Sequence, residues 1–188
     1  MKLFYIAFAG VLYLASFAGD VFAQADHMLT IQLKDGPVVI QLMPEVAPKH
    51  VAQIEALAQK GAYDNVAFHR VIDGFMAQTG DVQYGNMSKG YDPSLAGTGG
   101  SDLPNIPAEF SKKPFVRGTV GMARAQDPNS ANSQFFIMFA DGSFLNGQYT
   151  VVGSVVSGME NVDKIKRGAG QNGEVSDPDR MIKVTAGK

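Results

Sequence analysis

An Asp-Gly dipeptide at positions 73–74 divides residues 68–81 into two short apolar runs. This dipeptide is the strongest short sequence signal for a tight two-residue turn between antiparallel strands. The pattern therefore predicts a β-hairpin. Because side chains alternate between the two faces of a strand, we expect Arg70 to point away from His69 and Val71.

On the second arm of this hairpin, Met76 and Gln78 are expected to share one face, and Phe75 and Ala77 the other. The first arm carries a single guanidinium, which is costly to bury without a partner. Arg70 therefore either closes a structural ion pair or serves a ligand, and the strand pattern alone leaves both interpretations open. The same alternation turns His69 away from Arg70 and predicts a core histidine.

Hydrophobic periodicity predicts the other elements. Strands are expected over 28–33, 38–43, 119–123, 134–139, 150–156 and 180–185, and helices over 48–60 and 159–165. Residues 81–114 lose all periodicity and predict one long loop, and residues 144–145 lie in a second loop. Seven or eight strands with two separate helices indicate a mainly β fold, a closed antiparallel barrel capped at its ends.

The first residues have the pattern of a secretory signal peptide. Met1-Lys2 gives a positive start, residues 3–18 carry no charge, and Val21 and Ala23 are the small residues that a signal peptidase reads. We expect cleavage after Ala23 and a single domain over 24–188. An uncleaved membrane anchor is the alternative, although the apolar run is shorter than the roughly 20 residues that span a bilayer.

Composition excludes several classes of site. The chain has no cysteine, so it forms no disulfide and uses no thiol chemistry. Its net charge of -2 comes without a basic patch, and no nucleic-acid partner is expected. The three histidines are scattered, so we expect no metal site and no cofactor. The glycines of 97–100 lack the Lys-Ser/Thr pair of a phosphate-binding loop.

Five segments in register, 68–81, 97–100, 121–125, 133–137 and 144–147, resemble the cyclophilin family of peptidyl-prolyl cis-trans isomerases. The order and spacing agree over residues 28–185. The resemblance implies a closed eight-stranded antiparallel β-barrel capped by two α-helices. This is the architecture that the strand and helix pattern predicts.

The resemblance also implies the roles of individual residues. Arg70, Phe75 and Gln78 would be catalytic. The substrate-binding residues would be Met76, Ala123, Arg124, Ala125, Gln134, Phe136, Phe144, Leu145 and Tyr149. By pattern alone the apolar members of this set are core residues, and only the resemblance makes them walls of a pocket for the proline ring. The backbone of 123–125 would take the residues before proline.

Three positions differ from the best-known eukaryotic members of the family. Phe144 replaces a tryptophan, Tyr149 a histidine and Arg124 an asparagine. The first change removes an indole N–H donor, so weaker binding of cyclosporin is expected. Together with the signal peptide, these differences resemble the bacterial exported branch.

The function implied is isomerisation of X-Pro bonds in proline-containing segments of exported proteins. The protein would act as a monomer, in the periplasm or after secretion, without a membrane contact once the signal is removed. A binding module or chaperone that holds such segments without turnover is the main alternative. A barrel with a lipophilic cargo is disfavoured, because bulky inward-facing residues fill a small barrel.

Overall fold

The computed structural model describes residues 27–187. The expected signal peptide, residues 1–23, lies outside this part of the chain, so the structure does not test it. Within 27–187, no helix has the length and apolar character needed to cross a bilayer.

Ten strands, two α-helices and one 3-10 helix form the described part of the chain. The strands are β1 (Met28–Leu33), β2 (Gly36–Leu42), β3 (Val66–Ala67), β4 (Arg70–Ile72), β5 (Met76–Thr79), β6 (Thr119–Met122), β7 (Phe135–Met138), β8 (Val151–Ser157), β9 (Arg180–Met181) and β10 (Lys183–Ala186). The α-helices are α1 (Pro48–Gln59) and α2 (Met159–Val162). The 3-10 helix spans Ser143–Leu145 and includes residues 144–145, which were expected to lie in a loop.

Eight strands form one curled antiparallel sheet in the order β10-β1-β2-β8-β6-β7-β5-β4, while β3 and β9 form a separate short ladder. The predicted fold class is confirmed, but the closed barrel is wrong in detail. The outer edge of β4 bonds to a turn instead of to β10: Val71 donates its N–H to the Gly173 carbonyl at 2.7 Å, and Val175 donates to the His69 carbonyl at 3.1 Å. The sheet therefore stays open along this seam.

Apolar side chains fill the concave side of the sheet. In β1, Leu29, Ile31 and Leu33 are buried and the residues between them are more exposed, which is the alternation expected of a strand with one face in a core. Helix α1 adds Ile54 and Leu57 to the same core. Pro48 starts this helix, where a missing N–H costs nothing.

The predicted hairpin is present, with Arg70 paired to Gln78 and Ile72 to Met76. Its turn has three residues, 73–75, instead of the predicted two, and the Phe75 N–H donates to the Ile72 carbonyl at 3.1 Å. Because Phe75 belongs to the turn, strand alternation does not set its direction. Phe75 packs with Met76 in one hydrophobic cluster while Ala77 belongs to another, so the prediction that Phe75 lies on the face of Ala77, opposite Met76, is wrong.

The long loop 81–114 is organised by one buried carboxylate. Asp81 is fully buried. Its Oδ1 accepts the N–H groups of Gln83 at 3.1 Å and Tyr84 at 2.9 Å, and its Oδ2 accepts those of Gly97 at 2.7 Å and Gly99 at 2.9 Å. Four backbone donors thus compensate the charge and fix residues 97–99 against the sheet.

His69 is a buried residue, as predicted, with 7% of its surface exposed. Burial lowers the pKa of His69 to about 4, and the negative charge of Asp81 only partly offsets this effect. The imidazole is therefore neutral at physiological pH, and protonating it in the folded protein is unfavourable.

We expect Asp81→Ala to lower the free energy of unfolding by about 3 kcal/mol, because it leaves four backbone N–H groups without their acceptor. Urea denaturation followed by circular dichroism measures this change. Asp92→Ala is the matched control, since Asp92 accepts the N–H and hydroxyl of Ser94 at the surface of the same loop. Equal shifts of the two denaturation midpoints would contradict the anchoring role of Asp81.

Stability should also fall in acid because of His69. A folded-state pKa of about 4 lies below the ordinary 6.5, so the unfolded chain binds more protons between these values, and stability decreases as pH falls from 6.5 to 4. Relative to His69→Gln, the wild type should lose about 3 kcal/mol between pH 7 and pH 4. A ring titration midpoint near 6.5 by NMR would show that the imidazole is not desolvated.

Candidate active site

The Arg70 guanidinium is held by neutral acceptors. Its Nε donates to the carbonyl of Asn172 at 2.9 Å, and its Nη1 donates to Oε1 of Gln78 at 3.3 Å. No carboxylate of residues 27–187 lies within ion-pair distance of it. Of the two interpretations left open by the sequence, the structural ion pair is therefore excluded for this part of the chain.

The side chain of Arg70 is half-buried, and burial lowers its pKa from the ordinary value. A guanidinium nevertheless stays protonated in proteins. None of the hydrogen bonds that Arg70 makes to residues 27–187 uses its Nη2 group. Because Arg70 lines the adjoining pocket, this pocket has a permanent positive charge at its wall.

Two glutamine amides connect Arg70 to the long loop. Gln78 Nε2 donates to Oε1 of Gln134 at 3.0 Å. Gln134 Nε2 in turn donates to the carbonyls of Gly97 at 3.0 Å and Gly99 at 2.7 Å. Each amide has its oxygen towards Arg70 and its nitrogen towards the loop, so the orientation of the whole chain of bonds is set by the two loop carbonyls.

An apolar pocket of about 300 Å³ opens beside Arg70. Its lining comprises Arg70, Phe75, Met76, Gln78, Ala123, Arg124, Phe136, Phe144, Leu145 and Tyr149. Met76, Phe136 and Leu145 are almost fully buried, whereas Phe144 is 62% exposed and lies with its ring centroid 5.4 Å from that of Phe75. The inner wall of the pocket is therefore buried, whereas the ring of Phe144 at its rim is accessible to water.

A polar groove of about 240 Å³ adjoins this pocket and is lined by Ala123, Ala125 and Gln134 among others. All twelve residues that the sequence pointed to line one or other of these two spaces. The structure thus brings the whole predicted set together, including Phe75, whose predicted direction was wrong.

Arg124 bridges two segments at the side of the groove. Its Nη1 donates to the carbonyl of Ala125 at 2.8 Å, and its Nη2 donates to that of Gln148 at 3.0 Å. The guanidinium also lies over the Tyr149 ring, 4.4 Å from the centroid. Arg124 and Tyr149 are therefore in contact with each other.

Sequence reasoning missed three groups of the site. The Asn172 carbonyl holds Arg70, and the carbonyls of Gly97 and Gly99 hold Gln134. All three are backbone groups on loops. No residue type marks a backbone acceptor, so the sequence carried no signal for them.

Chemically, the site combines a small apolar pocket, a fixed cation at its wall and a polar groove beside it. Such a site suits a compact apolar ring attached to polar backbone. Its charged donor can stabilise electron density that develops next to the ring.

Comparison with known proteins gives the same picture. The family model described as "Cyclophilin type peptidyl-prolyl cis-trans isomerase/CLD" matches residues 28–186. A probable peptidyl-prolyl cis-trans isomerase of Brucella suis is 66% identical over 164 residues, which is 87% of this chain and 84% of that protein. Peptidyl-prolyl cis-trans isomerase B of Escherichia coli is 37% identical over 147 residues, 74% of this chain and 84% of its own.

Solved structures show the same fold. A cyclophilin type peptidyl-prolyl cis-trans isomerase of Cryptosporidium parvum, crystallised in the presence of the dipeptide Ala-Pro, has a TM-score of 0.72 and 26% identity. The match covers 86% of this chain and 99% of that one. The cyclophilin AquaCyp293 of Hirschia baltica has a TM-score of 0.70, and the match covers 86% of this chain and 74% of that one. This chain therefore belongs to the cyclophilin family and is a peptidyl-prolyl cis-trans isomerase.

Proposed function

We propose that Arg70 is the catalytic donor of this isomerase, assisted by Gln78 and Phe75, and that the apolar pocket holds the proline ring. The observation that carries this proposal is the free, uncompensated guanidinium at the wall of a pocket sized for a small ring. The Ala-Pro dipeptide used with the Cryptosporidium relative supports the assignment of substrate class.

The reaction breaks no covalent bond. Amide resonance opposes rotation with a barrier of about 18 to 20 kcal/mol. In the twisted transition state the imide nitrogen becomes pyramidal and regains its lone pair. A donor aimed at that nitrogen stabilises the transition state more than either planar ground state, which is the condition for catalysis. Arg70 Nη2 is the group we assign to this bond.

The magnitudes require a second contribution. Bringing a step of tens of seconds to milliseconds is a gain of roughly 10⁴, or about 5.5 kcal/mol. One charge-assisted hydrogen bond supplies about 1.5 to 3 kcal/mol of it. We assign the remainder to the apolar pocket, where Met76, Phe136 and Leu145 hold the ring still while the preceding carbonyl turns.

The groove takes the residues before proline, along the backbone of Ala123, Arg124 and Ala125. Gln78 keeps one amide hydrogen for the substrate, since its other donor and its oxygen serve Gln134 and Arg70. Gln134 uses both amide hydrogens on loop carbonyls. We therefore assign Gln134 a positioning role, with Gln78 as the side chain that contacts the substrate.

We expect Arg70→Ala to lower kcat/KM on an Ala-Pro peptide by about 10- to 150-fold, the equivalent of one charge-assisted hydrogen bond. A protease-coupled isomerase assay measures this. Arg70→Lys should recover only part of the loss, because an ammonium lacks the rigid, planar set of donors. Arg180→Ala, which removes an exposed arginine on β9, is the control. Full activity of a folded Arg70→Ala protein would refute the mechanism.

We also propose that the enzyme acts as a monomer on exported proteins, in the periplasm or outside the cell. The support for export is the sequence of the first 23 residues, with a positive start, an uncharged run and small residues at positions 21 and 23. The substrates would then be proline-containing segments of proteins that fold after export.

Expression of the full chain in a Gram-negative host should give a periplasmic product that begins at Gln24, as read by mass spectrometry of the intact protein. Ala23→Phe should block processing, because the peptidase requires a small side chain there. Phe22→Leu should not, since the position between the two small residues tolerates bulk. An unprocessed product in the cytoplasmic fraction would refute export and leave the isomerase assignment intact.

A further inference from the structure

An Asn-Gly dipeptide, Asn172-Gly173, lies in the turn that holds Arg70. Arg70 donates its Nε–H to the backbone carbonyl of Asn172 at 2.9 Å. The side chain of Asn172 is exposed, and its amide makes no hydrogen bond to residues 27–187. The contact with Arg70 therefore uses only the main chain of residue 172.

The fold requires glycine at position 173. The backbone there has a φ of +70°, and a Cβ would lie 2.5 Å from Cγ1 of Ile72 and 2.8 Å from the carbonyl oxygen of Val71. The φ of Asn172 is not positive, so the turn makes no such demand on that residue. A free asparagine side chain thus precedes a glycine that packing and backbone conformation require.

This dipeptide permits a reaction between side chain and main chain. Glycine has no side chain to obstruct the approach, so its backbone nitrogen can form a bond to Cγ of the asparagine, while Nδ2 leaves as ammonia with the N–H proton. Water then opens the resulting five-membered imide. Where the bond from nitrogen to the former backbone carbonyl carbon breaks, that carbonyl becomes a carboxylate and the main chain runs through Cβ and Cγ. The net change converts asparagine and water to isoaspartate and ammonia.

Two features of this turn favour the first step. The N–H of Gly173 donates no hydrogen bond to residues 27–187, so no acceptor in that part of the chain holds it. The carbonyl oxygen of Asn172 belongs to the same peptide group, and loss of the N–H proton places negative charge on that oxygen through amide resonance. Arg70 donates to this oxygen and stabilises the charge. The guanidinium therefore makes the attacking nitrogen more acidic.

We propose that Asn172 is a site of spontaneous isoaspartate formation, and that the modification inactivates the enzyme through Arg70. The inactivation rests on the proposed function, in which the charge of Arg70 is catalytic. In the unmodified turn, Nε of Arg70 meets a neutral carbonyl oxygen. In isoaspartate the same carbon bears a carboxylate, which forms an ion pair with the guanidinium and neutralises its charge.

A second Asn-Gly dipeptide, Asn146-Gly147, is an internal comparison. Asn146 is exposed as well, but its Oδ1 accepts the N–H of Phe115 at 2.8 Å, which holds the side chain. Among the bonds that arginines of 27–187 make to backbone carbonyls, none involves Asn146. We therefore expect slower conversion at 146 than at 172.

The test is ageing of the wild type in warm, mildly alkaline buffer, with samples taken at intervals. Peptide mapping by mass spectrometry with electron-transfer fragmentation distinguishes isoaspartate from aspartate at both positions. Residual kcat/KM on an Ala-Pro peptide should fall in proportion to the isoaspartate at 172, because the modified molecules are about 10- to 150-fold less active, the effect of one charge-assisted hydrogen bond. Absence of isoaspartate at 172, or conversion no faster than at 146, would overturn the proposal.

Two serine variants locate the cause. Asn172→Ser keeps the backbone carbonyl and lacks the amide, so during ageing it should retain the kcat/KM with which it starts. Asn146→Ser is the matched control and should lose activity as fast as the wild type. Should Asn172→Ser fail to fold, Asn172→Gln replaces it, since its longer side chain cannot form a five-membered ring. Loss at the wild-type rate in a variant of Asn172 would refute the link to this residue.

The two hypotheses fail separately. Full activity of a folded Arg70→Ala protein would refute the proposed function, whatever happens at residue 172. Isoaspartate at 172 in a fully active wild-type sample, together with an impaired Arg70→Ala protein, would refute only the inactivation.

Discussion

Four hydrogen bonds, the last two of them in parallel, connect the guanidinium of Arg70 to the long loop. They run from the guanidinium through Gln78 and Gln134 to the carbonyls of Gly97 and Gly99. The donor-to-acceptor direction of these hydrogen bonds is fixed, because a carbonyl can only accept and the amide nitrogen of Gln134 must therefore point towards the loop. Each amide then presents its oxygen towards Arg70. The sheet supplies the spacing, since β4, β5 and β7 are neighbours and Gln78 pairs with Arg70 on one side and with Phe136 on the other.

The loop end of these hydrogen bonds is held in place by a negative charge, the carboxylate of Asp81. Asp81 accepts the N–H groups of Gly97 and Gly99, so the same two residues that direct Gln134 with their carbonyls are held by their amides. A buried carboxylate is stable only when donors surround it, and four backbone groups do so here. The acidic group thus stabilises the site without approaching Arg70, and the guanidinium keeps its uncompensated charge. The same buried carboxylate therefore holds the long loop in place and, through the two glutamines, orients the guanidinium of Arg70.

Local sequence patterns predicted those features of the fold that are determined by residues close together in the sequence. The hairpin around 73–74 follows from its turn dipeptide, and the burial of His69 follows from alternation along a short strand. The errors arose where a local rule stopped applying: one extra turn residue redirected Phe75, and the turn at 173–175 occupied the strand edge that a closed barrel needs. The partners of Arg70 were beyond sequence reasoning for a different reason. Asn172 lies 102 residues away and acts through its backbone, so only the folded chain brings it to the site. The pocket residues were found through the resemblance to a family, since an apolar pattern alone does not distinguish a pocket from a core.

In the proposed mechanism, the neutral partners of Arg70 matter more than their modest strength suggests. A carboxylate at the same place would bind the guanidinium more tightly, but it would occupy the donors and cancel the field that a developing lone pair must feel. Carbonyl and amide oxygens orient the group through their dipoles and leave its net charge intact. Half-burial then raises the effect of that charge, since fewer water molecules screen it. Partial burial removes water from the guanidinium and lowers the pKa of Arg70. The desolvation is only partial, because Arg70 also lines an open pocket. In the proposed mechanism, rotation of a peptide bond without cleavage requires a donor of fixed orientation whose positive charge is not neutralised by a neighbouring carboxylate.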